Sequence, residues 1–159
     1  MRKKRRRVRS SFVPFRKHPA PFAQESRGIA VQVGGPRVVA MTLAEELAEA
    51  VSADVDERQQ LVDAALSVGE WLADQGHPGR WDKVKPAEIL RCLDFLPRFE
   101  QERFLFSFIG LLGHGALTGQ IPLRSANRSI EEISTLARDE PVRAFARSTA
   151  AQLQQPLPS

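Results

Sequence analysis

The sequence predicts an all-α protein: a compact bundle of about five to six helices behind a basic N-terminal arm. Three observations carry this reading. From Thr42 onward apolar residues recur at steps of three and four. Capping-box spacings and prolines punctuate that pattern as helix starts and stops. Residues 1–27 combine like charges with Pro14, Pro19 and Pro21 and offer little apolar surface to bury, so they are expected to lack fixed structure when free.

The chain of 159 residues, 42% hydrophobic and 26% charged, is long enough for one domain with a sizeable core. The expected organisation is a flexible basic arm over 1–27, a linker or short hairpin over 28–41, a helical domain over 42–154 and a frayed tail over 155–159. In the second segment, Ile29-Ala30-Val31-Gln32-Val33 and Pro36-Arg37-Val38-Val39 flank Gly34-Gly35, which is a β-hairpin signal over 29–39. Pro36 weakens that strand by removing a donor.

Thr42 and Glu45 have capping-box spacing ahead of Leu43, Leu47 and Val51, which predicts a first helix. A second is expected from about Asp56 to Gln75, burying Leu61, Val62, Ala65, Val68 and Leu72 with Trp71, and ending at Gly76. Pro86 suits the first turn of a third, with Ile89, Leu90, Leu93 and Leu96 apolar and Pro97 as its stop. Residues 98–112 carry apolar side chains nearly all the way round, the signature of a helix enclosed by others. Gly113-His114-Gly115 is read as a break. Ser129 and Glu132 repeat the capping-box spacing before a short fifth helix, and a sixth follows Pro141 with Val142, Phe145, Ala146, Thr149 and Leu153 on one stripe.

Charge is unevenly divided. Residues 1–40 hold eleven Lys/Arg against Glu25 alone, which is +10, whereas 41–159 hold twelve against eighteen Asp/Glu, which is −6. The arm therefore calls for an anionic partner. Arg2, Lys3, Lys4, Arg5, Arg6, Arg7, Arg9, Arg16 and Lys17 interleave with Phe12 and Phe15, and Phe22 follows. Cations that track phosphates beside rings that stack on bases suit nucleic acid, single strands somewhat more than duplex. Arg80, Trp81, Lys83 and Lys85 form a second candidate cluster, set against the plainer reading of Trp81 as a plug for the core. Lys3-Lys4-Arg5-Arg6 also fits a nuclear import signal in a eukaryotic host.

Other chemistry finds little support. His18, His77 and His114 are scattered and Cys92 stands alone, so no metal site and no intrachain disulfide is expected. Cys92 reads as a small apolar residue. Nucleophile-elbow, phosphate-loop, zinc-peptidase and kinase motifs are missing, which points away from an enzyme and from any cofactor. Asp94, Glu100 and Glu102 read as solvated carboxylates, and His114 between two glycines as a turn marker. Gly110-Leu111-Leu112-Gly113 has the spacing of an RNA-clamping loop but lies in an apolar stretch, which favours a close helix contact. No run of about 18 apolar residues could span a membrane, and no apolar signal segment follows the N-terminal charges, so a cytoplasmic setting without membrane contact is expected.

The stretch Leu136-Ala137-Arg138-Asp139-Glu140-Pro141-Val142-Arg143-Ala144-Phe145-Ala146 resembles the inter-helix turn and second helix of a HEAT repeat. The likeness covers one unit, without a second copy at a period of roughly 40 residues. It implies a protein-binding surface. Two functional expectations follow. One is a non-catalytic subunit or accessory factor of a nucleoprotein complex, whose arm contacts nucleic acid while its acidic body docks on protein. The other is a helical protein-interaction module whose arm docks on a partner through Pro14-Phe15 and Pro21-Phe22.

Overall fold

The computed structural model describes residues 36–155, which are all-α. Six helices follow in order: α1 Pro36–Ala50, α2 Val55–Asp74, α3 Pro86–Cys92, α4 Arg98–Leu117, α5 Leu123–Leu136 and α6 Glu140–Gln154, with a single 3-10 turn at Trp81–Lys83. The chain divides into two compact units, Met1–Val84 and Lys85–Ser159, where the sequence suggested one core.

In the first unit α1 packs on α2. The helix begins six residues before the predicted Thr42, and Pro36-Arg37-Val38-Val39, read as a hairpin strand, is its first turn. Proline at a helix start loses nothing, because its missing N–H would have no intrahelical partner and its φ is already helical. The other half of the hairpin, the arm and the tail beyond residue 155 lie outside the described residues. Ala40, Leu43, Ala44 and Ala48 are buried, Leu47 is half-buried and Val51 is exposed. The helix closes on Ser52 in the left-handed region at φ 55, where Ser52 N–H donates to Glu49 O and Ala53 N–H to Ala48 O.

Asp54 starts α2 with a reciprocal cap: its Oδ1 accepts from Glu57 N–H at 2.8 Å, while Glu57 Oε1 accepts from Asp54 N–H at 3.0 Å. The predicted core residues Leu61, Val62, Ala65, Val68, Trp71 and Leu72 are all buried. Gly76 ends the helix at φ +83 as expected, and His77 N–H donates to Leu72 O at 2.8 Å.

In the second unit α4 packs on α5 and α6, and α3 on α5. Phe104, Leu105, Phe108, Ile109, Leu111 and Leu112 are buried, each burial stabilising the fold by about 1.5–3 kcal/mol. Phe99 is exposed, which departs from the expected all-round burial at the start of α4, and Phe106 is half-buried.

The helix also runs five residues beyond its predicted end, straight through Gly113-His114-Gly115. These glycines serve close approach. A Cβ at Gly113 would lie 3.0 Å from Thr149 Cγ2 on α6, and one at Gly115 would come within 2.6 Å of Ile121 Cγ1. Helix α5 likewise starts six residues ahead of the predicted cap, so that Ser129 lies buried mid-helix. On α6, Val142, Ala146, Thr149 and Leu153 are buried, while Phe145 is partly exposed with its ring 5.3 Å from that of Phe106.

Ala in place of Gly normally favours a helix by ~1 kcal/mol, but here steric overlap outweighs propensity. Gly115→Ala is expected to lower unfolding free energy by about 1–3 kcal/mol in urea titrations. Ile121→Ala removes the atoms in the way, so the double variant should lose less than the sum of the single losses. Strict additivity would show that the two positions do not meet.

Candidate functional site

Three regions of the described chain could engage a ligand. The first is the loop after α2, where the second basic cluster was expected. Gly76 and Gly79, at φ +83 and +74, turn the chain, and Arg80 N–H donates to His77 O at 3.0 Å. Arg80 is turned onto its own loop: Nε donates to Asp82 Oδ1 at 3.0 Å and Nη2 to Oδ2 at 2.8 Å. Those paired donors hold the Asp82 carboxyl below the usual carboxylate range, against the opposing pull of partial burial.

Trp81 is only 3% exposed, so its expected role as a stacking ring is corrected: the indole belongs to the core, and no base can reach its face. Its Nε1–H is buried without a protein acceptor. Lys83 and Lys85 are exposed, Lys85 Nζ standing 3.8 Å from Glu88 Oε2. Two flexible ammonium groups without a ring can attract an anion but cannot orient a base. The arm residues Arg2 to Arg9, Phe12, Phe15, Arg16 and Lys17 lie outside the described residues.

The second region is the α1–α2 surface. Residues 41–79 carry nine Asp/Glu against Arg58 alone, a net −8, whereas 80–159 carry eleven Lys/Arg against nine Asp/Glu, a net +2. Arg58 is itself bound to Glu45, its Nε donating to Oε1 at 3.2 Å. The acidic character of the body is thus a property of this helix pair.

The third region lies within the second unit and was not anticipated. Leu90 and Arg91 of α3, Asp94, Arg98 and Leu105 of α4, and the α5–α6 turn around Arg138 enclose a groove of about 280 Å³. Arg98 closes one wall on Asp139, at 2.6 Å from Nη2 and 2.7 Å from Nε to Oδ1. Gln101 Nε2 donates to Leu96 O at 2.8 Å. Arg91 and Arg138 are exposed, and neither has an ion-pair partner among the described residues. The two carboxylates of the lining are Asp94 and Asp139, and Asp139 is held by Arg98.

The same turn is braced from behind. Arg143 Nη1 donates to Ala137 O at 2.8 Å and Arg138 O at 3.0 Å, capping the end of α5. Arg147 and Arg143 both donate to Glu140 and hold its carboxyl below the usual range. Arg138-Asp139 lies in the segment that resembles a HEAT repeat turn, and that resemblance was the available pointer to the groove.

Other candidate residues are placed as follows. His114 lies half-buried inside α4 and is no loop residue. Cys92 ends α3 half-buried, and burial raises its thiol pKa, with Glu88 and Asp94 adding to the shift and Arg91 opposing it. Among the described residues no group of three or more His, Cys, Asp or Glu is placed to hold a metal ion, and no helix is long and apolar enough to cross a membrane. No protein-family model matches the chain, and comparisons with curated proteins and with solved structures return no match.

A raised thiol pKa means less thiolate at neutral pH than in the unfolded chain. A disulfide reagent should therefore modify Cys92 more slowly in the native protein than in urea, with the native rate climbing as pH rises past the ordinary thiol range. Equal native and unfolded rates at pH 7 would contradict this.

Proposed function

We propose that the chain is a non-catalytic helical subunit or accessory factor of a nucleoprotein complex, contacting nucleic acid through its basic N-terminal arm. The observation that carries this reading is the charge division: +9 over residues 1–35, ahead of a helix pair that carries −7 over residues 36–74. A polyanion is drawn to the first and repelled by the second, so contact falls on the arm. The loop lysines Lys83 and Lys85 can add to it. The acidic body then faces protein.

Binding through the arm is electrostatic and largely blind to sequence, because each neutralised phosphate releases counterions. Fluorescence anisotropy with labelled single strands and duplexes, across a salt series, tests it on the full chain and on a variant lacking residues 1–27. That deletion leaves α1 whole, whereas a start at Met41 would remove its first turn. The full chain should lose about three orders of magnitude in affinity between ~50 and ~200 mM salt if at least six phosphates are neutralised. The deletion should abolish binding; unchanged affinity in the shortened chain would refute the proposal. Loss of binding to a captured protein partner on substituting Phe15 and Phe22, with nucleic-acid affinity intact, would instead favour the arm as a protein-docking segment.

A further inference from the structure

Two surface features have complementary chemistry, and the second names a protein partner for part of the acidic helix pair. One is the groove of the second unit. Its lining includes Leu90, half-buried, and Leu136, 44% exposed, together with the guanidiniums of Arg91 and Arg138, which have no ion-pair partners among the described residues. The other is the corner between α1 and α2. There Val55 is 84% exposed and Val51 60%, on either side of the turn that joins the two helices. Val55 stands between Asp54 and Asp56, with Glu57 next, all exposed.

We propose that the α1–α2 corner of one copy of this chain seats in the arginine-flanked groove of a second copy. Val55 meets Leu90 and Leu136, and the carboxylates beside it meet Arg91 and Arg138. Each feature has what the other lacks: leucines with unpaired cations, and an apolar knob with clustered anions. The corner is also firmly presented, since the reciprocal Asp54–Glu57 cap fixes the start of α2 and the left-handed Ser52 fixes the end of α1.

A phosphate backbone suits the groove less well. Asp94 and Asp139 oppose a phosphate as they oppose a carboxylate, so the difference is apolar: a phosphate backbone brings nothing to set against Leu90 and Leu136. Corner and groove are different surfaces, so the contact is heterologous and builds head-to-tail assemblies unless rotation closes a ring. The contact patch is small, which places it among weak, concentration-dependent interfaces. The proposal is independent of what the arm binds.

Analytical ultracentrifugation of the full chain at low salt, from about 10 µM to about 1 mM, covers the range in which so small an interface associates. Weight-average mass should rise with concentration. It should stay at the monomer value for the groove variant Arg91→Glu/Arg138→Glu and for the corner variant Val55→Lys/Asp56→Lys. All four positions are exposed, so the fold should tolerate the changes. Mixing the two variants decides the matter: each keeps the surface the other lost, so the equimolar mixture should regain association while each variant alone stays monomeric.

A monomeric wild type throughout the range overturns the proposal. So does association that persists in the groove variant, the result expected if the arm of one copy binds the acidic α1–α2 surface of another. A groove variant that loses nucleic-acid affinity but associates like the wild type would assign the groove to phosphate and also overturn it.

Discussion

Helix α4 cannot exist alone in water. Phe104, Leu105, Phe108, Ile109, Leu111 and Leu112 are all buried, and they occupy more than one face of the helix, so a single neighbour could not cover them. Both α5 and α6 pack on it, and their approach depends on positions that carry no side chain. Gly113 admits Thr149, and Gly115 admits Ile121, whose N–H and that of Gln120 both donate to Gly115 O. Each glycine costs the isolated helix ~1 kcal/mol relative to alanine. The burial of six large side chains, at about 1.5–3 kcal/mol each, exceeds that cost several times over. Helix propensity is thus given up where enclosure requires it.

This trade explains which parts of the fold were legible in the sequence. Elements resting on periodicity appear largely as read: the buried stripe of α2 from Leu61 to Leu72, the apolar body of α4 apart from exposed Phe99, and the Val142 to Leu153 stripe of α6 apart from Phe145. Punctuation signals divide: the Gly76 stop and the Pro86 start stand where the sequence puts them, whereas both predicted capping boxes moved. Thr42–Glu45 and Ser129–Glu132 have the spacing of a capping box and sit inside helices, because the spacing also arises by chance between one hydroxyl and one carboxylate of an ordinary helix face. The true box, Asp54 with Glu57, opens α2. Gly-His-Gly looks like a break, yet tertiary contact holds it helical. Pro36 was weighed as a flaw in a strand, when its constraint on φ suits a first turn.

The candidate sites show a similar limit. Composition reveals how many cations a segment has, but not which of them already have partners. Arg58, Arg80, Arg98, Arg143 and Arg147 each hold a carboxylate, and Arg80 does so two residues away in its own loop. These exposed pairs add little stability, about 0–1 kcal/mol each, but they remove charge from the surface available to a ligand. Arg91 and Arg138 are 47 residues apart in the chain and meet at one groove only because α3 and the α5–α6 turn are brought together. No spacing rule connects them. Trp81 errs the other way: three cations around an indole suggest a stacking site, while its 3% exposure assigns it to the core.

The placement of charge along the folded chain bears on how the proposed arm contact would behave. The −7 of residues 36–74 is carried by the helix pair that directly follows the arm, so a bound strand meets attraction and repulsion from adjoining segments. At physiological ionic strength salt largely screens exposed charges from one another beyond about 8 Å. Within that distance of α1 and α2 the carboxylates oppose a polyanion. On the proposed reading the acidic helix pair thus keeps nucleic acid off its own surface and leaves that surface to protein.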